Sequence, residues 1–256
     1  MNTEPRASDK ATRETITRLQ RWTDKLITFR TTRPPGYRFT PGQYARLGLP
    51  DGESMIWRAY SITSAPDEED TLEFYGIIVD GGQFTSRLDQ FQVGDAIWLD
   101  RQVFGFMTES RFADGEDLWM LATGTGVGPF ISILRDRQAW DRWRHLVLVH
   151  CVRRPEELAY RVELEQLAAA HAGKLRLLQL VTRGDAGGHL HGRITTLLQN
   201  GALEQAAGLP LAIEQSRVML CGNPEMIDET RKLLHERGMR PVRRALPGQF
   251  VTENYW

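Results

Sequence analysis

Four short segments carry side chains suited to holding phosphates and flat rings. Arg58-Ala59-Tyr60-Ser61 ends a predicted strand with a guanidinium, a phenol ring and a hydroxyl. Arginine pairs with phosphate, tyrosine offers a stacking face, and a serine hydroxyl hydrogen-bonds a ring nitrogen. A plain strand with a buried tyrosine reads the same way, because four-residue matches recur by chance. Gly81-Gly82-Gln83-Phe84-Thr85 runs into the helical Ser86-Arg87-Leu88. Glycines opening a helix expose N–H groups, and with the Thr85 hydroxyl they would seat a pyrophosphate. A hairpin turn is the simpler alternative. In Ala122-Thr123-Gly124-Thr125-Gly126-Val127-Gly128-Pro129-Phe130 the backbone must turn sharply and approach a ligand closely. Pro129 stands where a third glycine would complete a G-x-G-x-x-G fingerprint, so a glycine-rich strand-to-helix turn also remains open. Cys221-Gly222-Asn223-Pro224-Glu225-Met226 lies at the carboxyl end of the last predicted strand, where open α/β sheets bind ligands. Cys221 has no neighbouring histidine to activate it as a nucleophile, and a buried apolar role is the ordinary one for such a thiol.

These segments need two kinds of scaffold. The first hundred residues read as six short strands: 16–19, 26–30, 43–49, 58–63, 72–79 and 96–99. Turn signals such as Pro34-Pro35-Gly36, Pro41-Gly42 and Asp80-Gly81-Gly82 separate them. That spacing suggests a small antiparallel barrel or sandwich. Beyond about residue 110, strands at 118–122, 146–149, 175–181 and 218–221 alternate with helices. The expected helices run from the glycine turn to Trp143, then over 156–170, 194–198 and 224–237. Such alternation implies a parallel sheet flanked by helices. The expected boundary falls in residues 100–117, giving domains 1–108 and 109–256.

Composition narrows the function classes. The 256 residues are 41% hydrophobic and 25% charged, with a net charge of −1, an ordinary globular mixture. No apolar run approaches the roughly 18 residues of a membrane span, and the polar start lacks the apolar core of a secretion signal. A cytoplasmic protein without membrane contact is the expectation. Two cysteines, Cys151 and Cys221, are too few for a four-thiolate cluster. His189-Leu190-His191 lacks further ligands at metal-site spacing, so no metal is expected. Residues 231–244 hold six bases, Arg231, Lys232, Arg237, Arg240, Arg243 and Arg244, against the single acid Glu236, a net of +5 (6 − 1). They suit an acidic partner or simply form a solvated face. One basic stretch on a near-neutral chain does not suggest nucleic-acid binding.

With the four segments in this order, the chain from about residue 15 to 256 resembles the ferredoxin–NADP reductase family, particularly its compact bacterial type. The run Leu118-Trp119-Met120-Leu121-Ala122-Thr123-Gly124-Thr125-Gly126 and the ending Glu253-Asn254-Tyr255-Trp256 are especially similar. The resemblance implies an antiparallel FAD-binding β-barrel followed by a NADP-binding domain with a parallel sheet flanked by helices. It implies that Arg58 contacts the FAD phosphates beside Ala59, that Tyr60 stacks on the flavin, and that Ser61 bonds near N5, where hydride arrives. Tyr75 would line the FAD site, and Gln83, Phe84 and Thr85 would hold the pyrophosphate. Thr125 and Cys221 would lie near the nicotinamide, with Gly222, Asn223 and Pro224 also contacting NADP. Glu253 would supply a carboxylate at the reacting centre, Tyr255 would cover the flavin as a movable gate, and Trp256 would contact FAD. Arg153, Arg183 and Arg193, with Thr182, would surround the 2′-phosphate, a group that needs fixed positive charge.

The implied activity is hydride exchange with NADP(H) and single-electron exchange with ferredoxin or flavodoxin, docked at a basic surface including Arg243 and Arg244. A monomer is the default. Residues 1–14 fall outside the resemblance and read as a mobile arm. The alternatives are a related flavin reductase serving an oxygenase or haem protein, and a flavin- or nucleotide-sensing module without turnover.

Overall fold

The fold was obtained as a computed structural model that describes residues 10–244 and 246–254. Two compact units emerge, one comprising the chain through Thr108 together with Ile131–Asp136, the other Glu109–Phe130 with the chain from Arg137 onward.

In the first unit, short β-rich segments bounded by turn residues build β1 (Ala11–Arg21), β2 (Leu26–Thr32), β3 (Tyr44–Asp51), β4 (Ser54–Ser61), β5 (Thr71–Ile77) and β6 (Ala96–Phe104), with the one-turn helix α1 (Thr85–Leu88) between the last two. The sheet order is β4-β3-β6-β1-β2-β5 with antiparallel pairing. A bridge from Ile62 to Phe74 joins the two outer strands and closes the ring. Phe29, Leu47, Ile62, Leu72, Phe74, Ile97 and Leu99 fill the interior. The expected arm over residues 1–14 is corrected in part. Residues 11–15 form the start of β1 and pair with residues 96–100 of β6, because this stretch completes the β1–β6 ladder. Residues 1–9 lie outside the described residues.

The second unit begins with β7 (Asp117–Thr123) and continues through α2 (Gly128–Arg135), α3 (Arg137–Arg142), β8 (His145–Val152), α4 (Arg161–Ala170), β9 (Leu175–Val181) and β10 (Leu190–His191). It ends with α5 (Ile194–Gln199), α6 (Ala202–Ala207), β11 (Ser216–Gly222), α7 (Pro224–Glu236) and β12 (Phe250–Asn254). Its sheet is parallel, in the order β10-β9-β8-β7-β11-β12. The chain starts at β7, builds outward one way, then returns to build the other way from β11. The carboxyl ends of β7 and β11 are therefore the topological switch point, the usual ligand crevice of such sheets.

Three expectations need adjustment. The helix expected to run to Trp143 breaks at Asp136 into α2 and α3. The helix expected from Glu156 starts only at Arg161, because Pro155 opens a short 3-10 turn and Tyr160 adopts a left-handed conformation (φ 60°). The helix α6 and the edge strands β10 and β12 were not anticipated.

The last turns of α2 group with the barrel. Ser132 Oγ donates to the Ser64 carbonyl at 2.7 Å, and Arg135 Nη1 donates to the Thr63 carbonyl at 2.9 Å and to Glu73 Oε1 at 2.8 Å. Glu73 also accepts from Arg30 Nε at 2.7 Å. Burial alone would raise the Glu73 carboxyl, but the two guanidiniums hold it below its ordinary value.

Candidate active site

Along β4 the residues of the first motif have different environments: Arg58 and Ala59 are exposed, while Tyr60 and Ser61 are buried. The Arg58 guanidinium donates to the neighbouring Trp57 carbonyl at 2.8 Å, leaving its charge open to an anion. The Tyr60 ring is 7% exposed, edge-on to Phe29 at 5.7 Å and tilted against Phe84 at 5.6 Å. Gly76 of β5 lies against it, and a Cβ there would stand 2.7 Å from Tyr60 Cε1. Burial raises the Tyr60 phenol above its ordinary value, so it stays protonated. Tyr75 is also buried, on the β5 face opposite Phe74.

At the glycine pair, Thr85 Oγ1 accepts from the Val79 N–H and donates to the Val79 carbonyl, both at 3.1 Å. The hydroxyl expected to face a pyrophosphate instead closes the turn. Phe84 is buried in the barrel and Gln83 is exposed. The backbone N–H groups of Gln83, Phe84 and Thr85 have no partner among the described residues. An exposed guanidinium and three open N–H groups are donors of the kind that hold phosphates.

In the parallel sheet, the third and fourth motifs pack on one another at the switch point. A Cβ on Gly126 would overlap the Cys221 carbonyl, and one on Gly222 (φ +131°) would overlap Thr123. Thr123 Oγ1 accepts from the Asn223 N–H at 2.8 Å. Asn223 caps α7, its Oδ1 accepting from Glu225 N at 2.7 Å, and Pro224 occupies the first helical turn. Gly222, Asn223 and Pro224 thus shape the strand end and start the helix. Thr125 is buried in the glycine turn. Cys221 is fully buried beside β12, in register with Glu253, and burial followed by the nearby Glu253 raises its thiol well above the ordinary value. The Glu253 carboxyl is pushed up to about 7 by burial, and its Oε2 makes no hydrogen bond among the described residues. Tyr255 and Trp256 lie outside the described residues.

The other half of the sheet gathers the arginines. Val152 pairs with Val181, and Val181 pairs with His191. The residues that follow, Arg153, Thr182-Arg183 and Gly192-Arg193, leave the sheet at one edge from neighbouring strands about 4.8 Å apart. All three arginines are exposed, and none forms an ion pair among the described residues.

Two family models match the chain: an oxidoreductase FAD-binding domain over residues 20–100 and an oxidoreductase NAD-binding domain over residues 120–232. Over 242 residues the chain is 41% identical to the flavodoxin/ferredoxin–NADP reductase of Escherichia coli (strain K12), covering 94% of this chain and 97% of that protein. The chain belongs to the flavodoxin/ferredoxin–NADP reductase family. The ferredoxin–NADP reductase of Azotobacter vinelandii is 36% identical over 249 residues, 94% of this chain and 95% of that one. A ferredoxin NADP+ reductase from Neisseria gonorrhoeae, solved with bound FAD and NADP, matches with a TM-score of 0.93 at 40% identity, over 97% of this chain and 100% of that one. The antiparallel barrel and flanked parallel sheet expected from the sequence are the fold of this reductase family.

Two residues of this family member escaped sequence reasoning. His150 is fully buried in β8, its Nε2 lying 3.0 Å from the Gly124 carbonyl. Burial pushes its imidazole down to about 4, so a neutral ring donates Nε2–H to the glycine turn. A lone polar residue in the apolar run Leu146-Val147-Leu148-Val149-His150 was the available signal. The other is Glu157, beside Arg153. Of the basic stretch, Arg237 is tied to Glu204 at 2.8 Å and to the Leu198 carbonyl at 2.9 Å, and Arg231 to Asp228 at 3.4 Å. Lys232, Arg240, Arg243 and Arg244 are exposed and form no ion pair among the described residues. Among the described residues no helix is long and apolar enough to cross a membrane.

Proposed function

We propose that this chain is an FAD-dependent oxidoreductase that exchanges a hydride with NADP(H) and single electrons with ferredoxin or flavodoxin. The observation that carries the reading is the edge formed by Arg153, Arg183 and Arg193, just beyond the ends of neighbouring strands of the unit that seats the glycine turn on Cys221-Gly222. Three cations that form no ion pair among the described residues favour a 2′-phosphate over a free ribose hydroxyl. Bound FAD supplies the conversion between two-electron and one-electron transfer.

The chain's own residues bind, orient and protect. Arg58 and the open N–H groups of Gln83, Phe84 and Thr85 hold the FAD phosphates, with Ala59 leaving room beside them. Tyr60 would stack on the flavin with whatever ring surface its packing leaves open, Tyr75 would back the FAD site from within the barrel unit, and Ser61 would hydrogen-bond near N5. Tyr255 and Trp256, outside the described residues, take the roles of flavin cover and FAD contact in this reading. Thr125, Cys221 and Gly222 frame the nicotinamide, while Asn223 and Pro224 fix the neighbouring helix start. Thr182 joins the three arginines. The part-buried Glu253 carboxyl, pushed up to about 7, is about half protonated at neutral pH, which suits it to exchanging a proton at the reacting centre. The exposed Lys232, Arg240, Arg243 and Arg244 steer an acidic carrier toward the protein. The enzyme acts as a cytoplasmic monomer.

A first test is direct. The purified protein is expected to carry a flavin absorption spectrum and to reduce ferricyanide at the expense of NADPH much faster than NADH. A colourless protein, or one without NADPH-driven turnover, overturns the reading.

A further inference from the structure

Arg153 begins a loop that is tied down more firmly than a surface arginine requires. Glu157 Oε2 accepts the backbone N–H groups of both Arg153, at 2.8 Å, and Arg154, at 3.2 Å. On the other side of the same residue, the Arg153 carbonyl accepts from the Arg183 N–H at 2.8 Å. The Val152 carbonyl accepts from the Thr182 N–H at 3.0 Å and from Thr182 Oγ1 at 3.3 Å. The loop's far end is anchored by Leu158, Ala159 and Tyr160, all buried, with Tyr160 held in the left-handed region at φ 60°. A residue with a Cβ stays there only when its surroundings enforce it.

We infer that Glu157 is a positioning residue for recognition of the NADP 2′-phosphate: its carboxylate fixes the Arg153 peptide, and through it the Arg183 peptide. This rests on the reading that Arg153, Arg183 and Arg193 bind that phosphate. A carboxylate near a phosphate site would by itself repel the ligand. Here one carboxylate oxygen faces two N–H groups, so the charge is turned toward the backbone and makes charge-assisted hydrogen bonds. The gain is preorganisation: the guanidiniums leave a backbone that is already ordered, and the ligand does not have to order it.

The test uses the flavin-loaded protein and titration calorimetry with adenosine 2′,5′-bisphosphate and, separately, 5′-AMP. Glu157→Ala is expected to weaken binding of the bisphosphate by about tenfold, the equivalent of losing a hydrogen bond to a charged group, with a smaller change for 5′-AMP. Glu157→Gln keeps an acceptor oxygen and is expected to stay within about threefold of the parent. In turnover, Glu157→Ala is expected to raise KM for NADPH with little change in kcat. Unchanged bisphosphate affinity in Glu157→Ala overturns the inference, as do equal losses in the Ala and Gln variants. Arg153→Ala is measured in parallel. If it weakens the bisphosphate and Glu157→Ala does not, only this inference fails. If Arg153→Ala also has no effect, the assignment of the phosphate site fails.

Discussion

Replacing the three edge arginines one at a time with alanine gives a prediction whose size follows from their exposure. Arg153, Arg183 and Arg193 are all solvent-exposed, so the effective dielectric between each guanidinium and a bound phosphate lies nearer water than interior. Two unit charges 4 Å apart attract by about 1 kcal/mol in water and about 4 kcal/mol at an effective dielectric of 20. A 2′-phosphate carries more than one charge, while exposure and salt reduce the attraction. About 1.5 kcal/mol per arginine is therefore a reasonable figure, roughly tenfold in affinity. Each single variant is expected to raise KM for NADPH by about tenfold and leave KM for NADH nearly unchanged. Raising ionic strength toward 1 M, where the screening length shrinks to about 3 Å, is expected to narrow the gap between variant and parent. Steady-state KM for both dinucleotides at low and high salt decides the matter. A preference for NADPH unaltered in all three variants, or an equal loss with NADH, refutes the reasoning.

Other consequences are as specific. Charge reversal of Arg243 and Arg244 to glutamate is expected to slow reduction of an acidic protein carrier severalfold at low salt and to spare ferricyanide reduction; equal losses with both acceptors in stopped-flow assays argue against docking there. Glu253 has a folded pKa near 7, raised above its ordinary 4.5. Its contribution to stability is thus fully present below about pH 4.5 and is lost as pH rises through about 7. Glu253→Gln is expected to remove the part of the melting-temperature decline between pH 5 and 7 that this group causes, worth at most about 3 kcal/mol, and an unchanged slope in calorimetry would show that the group titrates elsewhere. Glu73 is a buried carboxylate between the part-buried Arg30 and Arg135, and its loss takes one carboxylate from each, although Arg30 keeps Glu68 at 2.7 Å. Glu73→Ala is expected to destabilise the protein by about 2–4 kcal/mol, discounted from a fully buried pair for the partial exposure of Arg30. Thermal melting checks this, and a loss under about 1 kcal/mol would mean that solvent replaces the carboxylate.

The scaffold was legible because its signals are local. β-branched and aromatic residues in Leu26-Ile27-Thr28-Phe29 and Leu72-Glu73-Phe74-Tyr75, bounded by turn residues, mark strands, and unbroken apolar runs such as Leu146-Val147-Leu148-Val149 mark a sheet covered on both faces. The motif glycines were legible for a related reason, since only a residue without a Cβ permits Gly126 to touch the Cys221 carbonyl. What escaped depends on contacts between distant segments. No spacing along the chain reveals which carbonyl His150 meets, nor that Glu157 folds back onto the Arg153 and Arg154 N–H groups. Thr85 illustrates a subtler miss: its hydroxyl has the right chemistry for a phosphate, but Val79, six residues earlier, offers it a backbone partner. The start of β1 was missed because residues 11–15 alternate weakly, and their partner, residues 96–100, is far away in sequence.

The proposed function requires electron transfer from NADPH to a one-electron protein carrier. The decisive measurement is the steady-state rate at which the purified flavoprotein reduces ferredoxins and flavodoxins from its source organism, with NADPH and with NADH as donors. Saturable reduction of at least one carrier at micromolar concentration is expected, strongly favouring NADPH and slowing as salt rises. Reduction of none of them by a protein that still reduces ferricyanide with NADPH would contradict the proposed function and point to an oxygenase or haem partner instead.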